Sequence, residues 1–197
     1  MIEESIIKSI NDVKFSRDEF AYLSATSKIE LPYRDKLSWN LQSQLDNSSI
    51  NAIREWKRTD IAIIEQDRPL ALIELKAMYS FDALNANLKK FSSYLDRDEH
   101  KMRNLADNST EKYLALLVTH PCNKIKPTYK SMVKYTQGIN AAIKRHESTE
   151  SVLILAKEAI TSEIVTGNRT LILQKDYQAG TAFDVDFTIS LWLLKCN

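Results

Sequence analysis

The stretch from residue 59 to residue 77, "TDIAIIEQDRPLALIELKA", contains two apolar runs separated by polar residues. The runs TDIAII and LALIELK are rich in aliphatic and β-branched residues, a composition typical of strands. Between them lies EQDRP, in which Asp67 and Pro69 both favour a chain reversal. The stretch therefore predicts a β-hairpin that carries charged residues where a buried hairpin needs only aliphatic ones.

Three charged side chains of this hairpin are expected on one face. Glu74 and Lys76 are two positions apart, and because side chains alternate along a strand, both point to the same side. If the hairpin is centred on Asp67, Asp60 lies directly opposite Glu74. Two neighbouring carboxylates repel each other, and the pKa of one rises unless a cation lies between them. A divalent metal ion is a natural cation for such a pair.

The residue types of this patch fit magnesium chemistry. Mg²⁺ prefers hard oxygen ligands, usually one or two carboxylates with waters and a substrate phosphate. Asp60 and Glu74 are the candidate carboxylate ligands, and the backbone carbonyl of Leu75 is a further candidate. Lys76 could orient or deprotonate an attacking water, or neutralise charge that develops on a phosphate. This group of residues predicts phosphodiester hydrolysis with Mg²⁺ or Mn²⁺.

Sequence on both sides of the hairpin predicts amphipathic helices. Leucines at four-residue spacing indicate a helix over residues 33–46. Ser80 can cap a second helix, whose apolar residues share one face: Leu84, Leu88, Phe91 and Leu95. Thr128 can cap a third helix, whose expected buried face contains Met132, Tyr135, Ile139 and Ile143.

The remaining apolar segments predict strands that complete a sheet. KYLALLVTH (residues 112–120) is typical of a buried strand, and RTLILQ (169–174) and FDVDFTISLWLLK (183–195) indicate two more. SVLILAKEAITSEI (151–164) begins like a strand and continues like a helix, so the pattern leaves both structures open. The order helix, hairpin, helix, strand, helix, strands predicts an α/β domain with a central mixed β-sheet flanked by helices.

The charged hairpin resembles a known family of nucleases. Asp60 at the start of one strand, followed in the next strand by IEL and Lys76, is similar to the motif of the PD-(D/E)XK nuclease superfamily, which has the restriction-endonuclease-like fold. The resemblance covers roughly residues 33–120, and Thr59 stands where the proline that names the motif would be. It implies metal-dependent cleavage of DNA or, less often, RNA, in a setting such as restriction, repair or phage defence.

The same resemblance implies roles for individual residues. Asp60 and Glu74 would be metal ligands, and Lys76 would be the catalytic lysine. Many members of the superfamily carry a further acid in the helix before the hairpin, and Asp35 in YRDKL is the corresponding candidate ligand.

Length and composition predict one domain, residues 1–197, and the resemblance implies that this single domain is nuclease-like. Residues 1–30 would form a helical N-terminal arm and residues 33–120 the catalytic core. Residues 121–197 would supply a C-terminal helix and the strands that complete the sheet.

Two other interpretations of the hairpin stay open. An acid two residues before a lysine is common, and only the example at Glu74 ends an apolar run with a strand-initial acid upstream. Asp60, Glu74 and Lys76 could instead form a salt-bridged patch that protects the edge of a sheet. The chain could also be a catalytically inactive nuclease-fold module for nucleic-acid binding or protein assembly, because its net charge is only +1.

Local charge suggests a nucleic-acid partner, and the resemblance implies that DNA is favoured over RNA. REWKR (residues 54–58) groups Arg54, Lys57 and Arg58 around Trp56, a combination that can contact phosphates and stack on a base. A solvated strand or turn with a core tryptophan is the plainer interpretation. Double-strand cutting by a chain with one site would favour a homodimer.

Composition indicates a cytoplasmic protein without a membrane partner. The chain has two cysteines, Cys122 and Cys196, which do not form a disulfide framework or a CxxC metal motif. The N-terminal residues include Glu3 and Glu4 where a signal peptide would carry basic residues. The longest apolar runs are too short to span a bilayer as helices.

Overall fold

The computed structural model describes residues 2–45 and 49–197 of the chain. Within these ranges the helices are α1 (Ile2–Asn11), α2 (Glu19–Thr26), α3 (Glu30–Gln44), α4 (Asn87–Leu105), α5 (Thr136–Arg145) and α6 (Thr149–Ile164). The strands are β1 (Ile50–Trp56), β2 (Thr59–Glu65), β3 (Arg68–Tyr79), β4 (Glu111–Pro121), β5 (Arg169–Ala182) and β6 (Val185–Cys196). No helix in the described ranges has the length and apolar character needed to cross a membrane.

The described strands form one six-stranded sheet in the order β1-β2-β3-β4-β6-β5. β3 and β4 run parallel, and the other neighbouring strands are antiparallel, so the sheet is mixed. The α/β class with a central mixed sheet is therefore confirmed, as is the antiparallel pairing of the two segments of the quoted hairpin. Whether the core is restriction-endonuclease-like stays a prediction.

Each face of the sheet is covered by its own set of helices. Odd-numbered residues of β3, such as Ile73 and Leu75, are buried with apolar residues of α1, α2 and α3. Even-numbered residues, such as Leu72 and Met78, are buried with apolar residues of α4 and α6. The predicted N-terminal arm thus contains α1 and α2, whose apolar faces belong to the same core as the sheet. Glu74 and Lys76, being even-numbered, lie on the face that α4 covers.

Several element boundaries differ from the sequence-based predictions. The first helix was predicted for residues 33–46, but α3 begins one turn earlier at Glu30, and residue 46 lies outside the described residues. The ambiguous segment 151–164 is helical because it is part of α6, which buries apolar residues at four-residue spacing: Val152, Ala156, Ile160 and Ile164.

The prediction for the third helix was wrong at its start. Thr128 lies in a short 3-10 turn, Pro127–Tyr129, and α5 begins only at Thr136. Tyr135 has a left-handed backbone conformation with φ 59°, which interrupts a right-handed helix. Met132 and Tyr135 are accordingly exposed and not on a buried helical face.

Candidate active site

The register of the β2–β3 hairpin depends on one additional residue. At the tip, Glu65 pairs with Arg68, and this register continued without change would place Asp60 opposite Ile73. Glu74 would then point to the other face of the sheet, because a one-residue shift reverses every side chain.

A β-bulge corrects this register. Ile63 pairs with Ala71 while Ile64 pairs with Pro69, so Leu70 is an extra residue in β3 and the pairing shifts by one. Ile61 consequently pairs with Ile73, and the next step along both strands places Asp60 opposite Glu74. The bulge therefore puts the two carboxylates on the same face.

Side-chain carboxylates cap the part of β3 that extends beyond the paired region of β2. The last paired residue of β2 in this direction is Ile61, which leaves amide groups of β3 on that side to be satisfied in another way. Asp60 Oδ2 accepts a hydrogen bond of 2.8 Å from the Leu75 N–H. Glu30 Oε2, from the first turn of α3, accepts one of 3.1 Å from the Ala77 N–H. Asp60 and Glu30 are thus positioned by the backbone of the strand that carries Glu74 and Lys76.

Lys76 lies among these acids and is paired with α4. Its Nζ is 2.8 Å from Asp98 Oδ2 and donates a hydrogen bond of 3.0 Å to the carbonyl of Leu75. Burial lowers the pKa of Lys76, but the contact with Asp98 and the negative charges of Glu30 and Glu74 outweigh burial and raise it. Lys76 is therefore a cation at neutral pH, which suits charge stabilisation better than proton abstraction.

Glu74 is the most deeply buried acid of the group. Its side chain is only 3% exposed, and the ammonium of Lys101, from α4, contacts Oε1. Burial raises the pKa of Glu74 to about 8, because the lowering effect of Lys101 is outweighed by burial together with the charges of Asp60 and Asp98. Burial and the Asp60 charge also raise the pKa of Glu30, against the opposing effect of Lys76. The positive charges of Lys76 and Lys101 therefore do not offset the effect of burial and neighbouring carboxylates on the pKa values of Glu74 and Glu30.

Sequence reasoning missed three residues of this group, namely Glu30, Asp98 and Lys101. Glu30 precedes the residues that were predicted as the first helix, so periodicity gave no reason to select it. Asp98 did leave a signal: it continues the inward-facing positions of α4, between the buried residues Leu95 and Met102. An acid at a core-facing helical position needs a partner, and here the partner is Lys76.

Asp35, the predicted helix acid, is held by two arginines. Its Oδ1 is 3.0 Å from Arg34 Nη2 and 2.9 Å from Arg54 Nη1. Burial raises the pKa of Asp35, but the two arginines lower it by more, and the carboxylate is nearly half exposed. Arg34 connects this pair to the site, because its Nη1 lies 4.0 Å from Asp60 Oδ1. The role of Asp35 as a metal ligand stays a prediction.

The predicted nucleic-acid contacts lie around the turn between β1 and β2. Arg54 is engaged by Asp35, as described above, and Lys57 Nζ lies 4.4 Å from the centre of the Trp56 ring. The carbonyl of Arg58 accepts a hydrogen bond of 2.9 Å from Lys101 Nζ, so Lys101 links this turn to Glu74. Residues 54–56 of this segment belong to β1, and Lys57 and Arg58 form the turn that follows it.

The donor chemistry of the site can be compared with the needs of a divalent metal. In the described ranges, no group of three or more His, Cys, Asp or Glu side chains is arranged to hold a metal ion. Mg²⁺ is often bound through only one or two carboxylates, with water and substrate phosphate as the other ligands. Asp60 and Glu74 fit that pattern of two hard oxygen ligands, whereas the Leu75 carbonyl is engaged by Lys76.

Comparison with protein-family models, curated proteins and solved structures gave no match to this chain. The function is therefore inferred from the geometry and chemistry of the site.

Proposed function

We propose that the protein is a nuclease that hydrolyses phosphodiester bonds with Mg²⁺ or Mn²⁺, and that its substrate is DNA in preference to RNA. The observation that carries this proposal is the convergence of Asp60, Glu74 and Lys76 at the end of the paired region of β2 and β3. Burial, together with the charges of Asp60 and Asp98, raises the pKa of Glu74 to about 8, and a divalent cation bound beside Glu74 would lower that pKa. A cytoplasmic location and a homodimer for double-strand cutting belong to the same proposal.

The residues of the site would have different roles in the reaction. Asp60 and Glu74 would hold the metal ion, and Glu30 lies on the same strand edge as a further acid. A bound divalent ion supplies Lewis-acid polarisation of the phosphate and a more acidic water. Lys76, held as a cation by Asp98, stabilises negative charge that develops on the phosphate during attack. Asp98 is a positioning residue because it acts through Lys76.

A second candidate is a catalytically inactive module that binds nucleic acid or assembles with other proteins. One observation favours it: the charges of the site are already paired internally, Glu74 with Lys101 and Lys76 with Asp98. A metal ion would have to compete with the Lys101 ammonium for Glu74. Cleavage activity distinguishes this module from the nuclease.

The deciding experiment is a cleavage assay with matched variants. We expect the parent protein to cut plasmid, single-stranded DNA or RNA with Mg²⁺ or Mn²⁺, and to cut none of them in EDTA. Asp60→Asn, Glu74→Gln and Lys76→Ala should each lower the rate by at least about 100-fold, as loss of a group that stabilises the transition state does. Glu158→Gln, an exposed substitution on α6, is the control and should leave the rate unchanged.

Thermal melting separates the roles of the acids from that of the lysine. Metal that binds only the folded state raises the melting temperature, so Asp60→Asn and Glu74→Gln should lose this rise. Lys76→Ala should keep it, because the variant removes a neighbouring positive charge while both ligands remain. If no substrate is cut by the parent under any metal condition, the nuclease proposal is wrong and the inactive module is favoured.

A further inference from the structure

A large open groove lies beside the candidate active site. Its volume is about 690 Å³, and it runs between α4 and the turn that joins β1 to β2. Five basic or imidazole side chains line it, namely Lys57, Arg58, Arg97, His100 and Lys101. The carboxylate in the lining, Asp98, is already paired with Lys76. The groove is thus a cationic surface that reaches Lys101, which contacts Glu74.

The acids of α4 do not neutralise this surface. Asp96 and Glu99 both pair with Arg169 of β5, and Asp98 pairs with Lys76 of β3. In the described part of the chain, no carboxylate forms an ion pair with Lys57, Arg58 or Arg97. The positive charge beside the groove is therefore available to a partner.

The cations of α4 follow one helical face toward the site. Lys90, Tyr94, Arg97 and Lys101 are spaced four, three and four residues apart, so they share a stripe. Lys90 and Arg97 both lie over the Tyr94 ring, at 5.9 and 5.2 Å from its centre. At 1.5 Å per residue the stripe is about 16 Å long. Along the axis of a B-form duplex each strand carries one phosphate per 3.4 Å, so that length spans about four to five phosphates of one strand.

The turn opposite the stripe has an unusual backbone for the residues it carries. Lys57 and Arg58 form the two-residue connection between the paired residues Trp56 and Thr59, with φ values of 47° and 69°. Such turns favour Asn and Gly, because other residues tolerate positive φ poorly. The turn between β5 and β6 has the same conformation at Phe183 and Asp184, with φ values of 54° and 56°, so the feature that distinguishes the β1–β2 turn is its pair of cations.

We infer that this surface, the α4 track (Lys57, Arg58, Lys90, Arg97 and Lys101), binds the phosphate backbone of a nucleic-acid strand and leads it to Glu74. The inference rests on the proposed function and names the substrate-binding surface for it. Lys101 stands at the junction, since it contacts both Glu74 and the carbonyl of Arg58. Binding of this kind reads charge spacing and not base sequence.

The test is equilibrium binding without cleavage. Fluorescence anisotropy of labelled single-stranded DNA, duplex DNA and RNA is followed in EDTA over a range of KCl concentrations. The variant Lys57→Asn/Arg97→Gln removes two track cations, and asparagine suits the positive φ of position 57. The control Lys144→Asn/Arg145→Gln removes one lysine and one arginine from the exposed end of α5. Melting curves of both double variants establish that they fold.

Removal of two cations of the α4 track should change the salt dependence of nucleic-acid binding as well as the affinity. The slope of log K against log[KCl] should become shallower by about 1.4 for a single strand and about 1.8 for a duplex, at 0.7 or 0.9 per lost phosphate contact. The control should retain the parent slope. The proposed role of the α4 track is wrong if both double variants have equal slopes. It is also wrong if the parent binds none of the three nucleic acids.

The two proposals fail in different ways. If the parent cleaves with metal but the track variant binds and cleaves like the parent, the nuclease stands and the track is wrong. If binding depends on the track while no metal condition gives cleavage, the track stands and the chain is a binding module.

Discussion

Glu74 is the residue whose environment most affects how the protein responds to pH. Burial raises its pKa from 4.5 to about 8 in the folded protein. Between these values the folded state retains a proton that the unfolded state has lost, so a rise in pH favours unfolding. The contribution of Glu74 to stability is complete below about pH 4.5 and is lost as the pH rises through about 8.

Glu74→Gln should remove this pH dependence in metal-free buffer. We expect the free energy of unfolding of the variant to rise relative to that of the parent between about pH 5 and pH 8.5, because glutamine cannot ionise. Urea denaturation at both pH values in EDTA measures the difference. Glu158→Gln, on an exposed part of α6, should show a constant difference from the parent. A constant difference for Glu74→Gln as well would mean that Glu74 titrates normally.

At the residue scale, the sequence allowed a prediction of proximity only for side chains that belong to the same hairpin. Asp60, Glu74 and Lys76 followed from strand alternation and an assumed hairpin centre, because both are local properties. Glu30 and Lys101 come from other elements, and no periodicity in the sequence relates their positions to those of β3. The side chains that determine the charge balance of the site were for this reason beyond sequence reasoning.

At the element scale, α4 supplies positive charge to the β2–β3 hairpin through the side chain of Lys101, which a single substitution can remove. Lys101→Ala takes the ammonium away from Glu74 and leaves Asp60 and Glu74 without that cation. We expect a lower melting temperature in EDTA and a larger rise on addition of Mg²⁺ or Mn²⁺ than in the parent, because the metal no longer competes with a lysine. Thermal melting with and without metal measures both effects.

Lys89→Ala is the matched control for this prediction, since Lys89 is an exposed lysine of the same helix. It should melt like the parent under both conditions. A Lys101→Ala variant whose melting temperature does not respond to metal would contradict a competition at Glu74 and favour the purely structural interpretation of the patch.

The β2–β3 hairpin shows which structural features can be predicted from sequence and which cannot. Centring the hairpin on Asp67 placed Asp60 opposite Glu74, although the tip actually pairs Glu65 with Arg68. The result was right because the bulge at Leu70 moves the register by one residue. Apolar patterning predicts that two strands pair, whereas a bulge is a local backbone feature that such patterning does not record.

At the scale of the whole molecule, one buried arginine ties α4 to the far edge of the sheet. Arg169, at the start of β5, has a side chain that is only 2% exposed, with Nε 2.9 Å from Glu99 Oε2 and Nη2 2.5 Å from Asp96 Oδ1. Removal of one member of a buried ion pair leaves an uncompensated charge, which typically costs about 3–5 kcal/mol.

Arg169→Met should therefore lower the free energy of unfolding by about 3–5 kcal/mol. Lys157→Met is the comparison, because its pair with Asp176 is more exposed and should be worth about 1 kcal/mol or less. Urea denaturation of both variants and the parent gives the two values. A loss for Arg169→Met as small as that for Lys157→Met would mean that Arg103, the other partner of Glu99, suffices to neutralise it.

The strand order has a consequence for synthesis on the ribosome. β6 is the last of the described strands to be made, yet it lies inside the sheet between β4 and β5. A nascent chain that ends before residue 185 can form the early hairpins but exposes an apolar edge of β4, the strand that β6 covers along most of its length. The edge strand β5 emerges earlier and has no neighbour in the sheet until β6 arrives. Unpaired apolar edges of this kind promote association between chains. We therefore expect the nascent chain to depend most on a chaperone when translation pauses between β5 and β6.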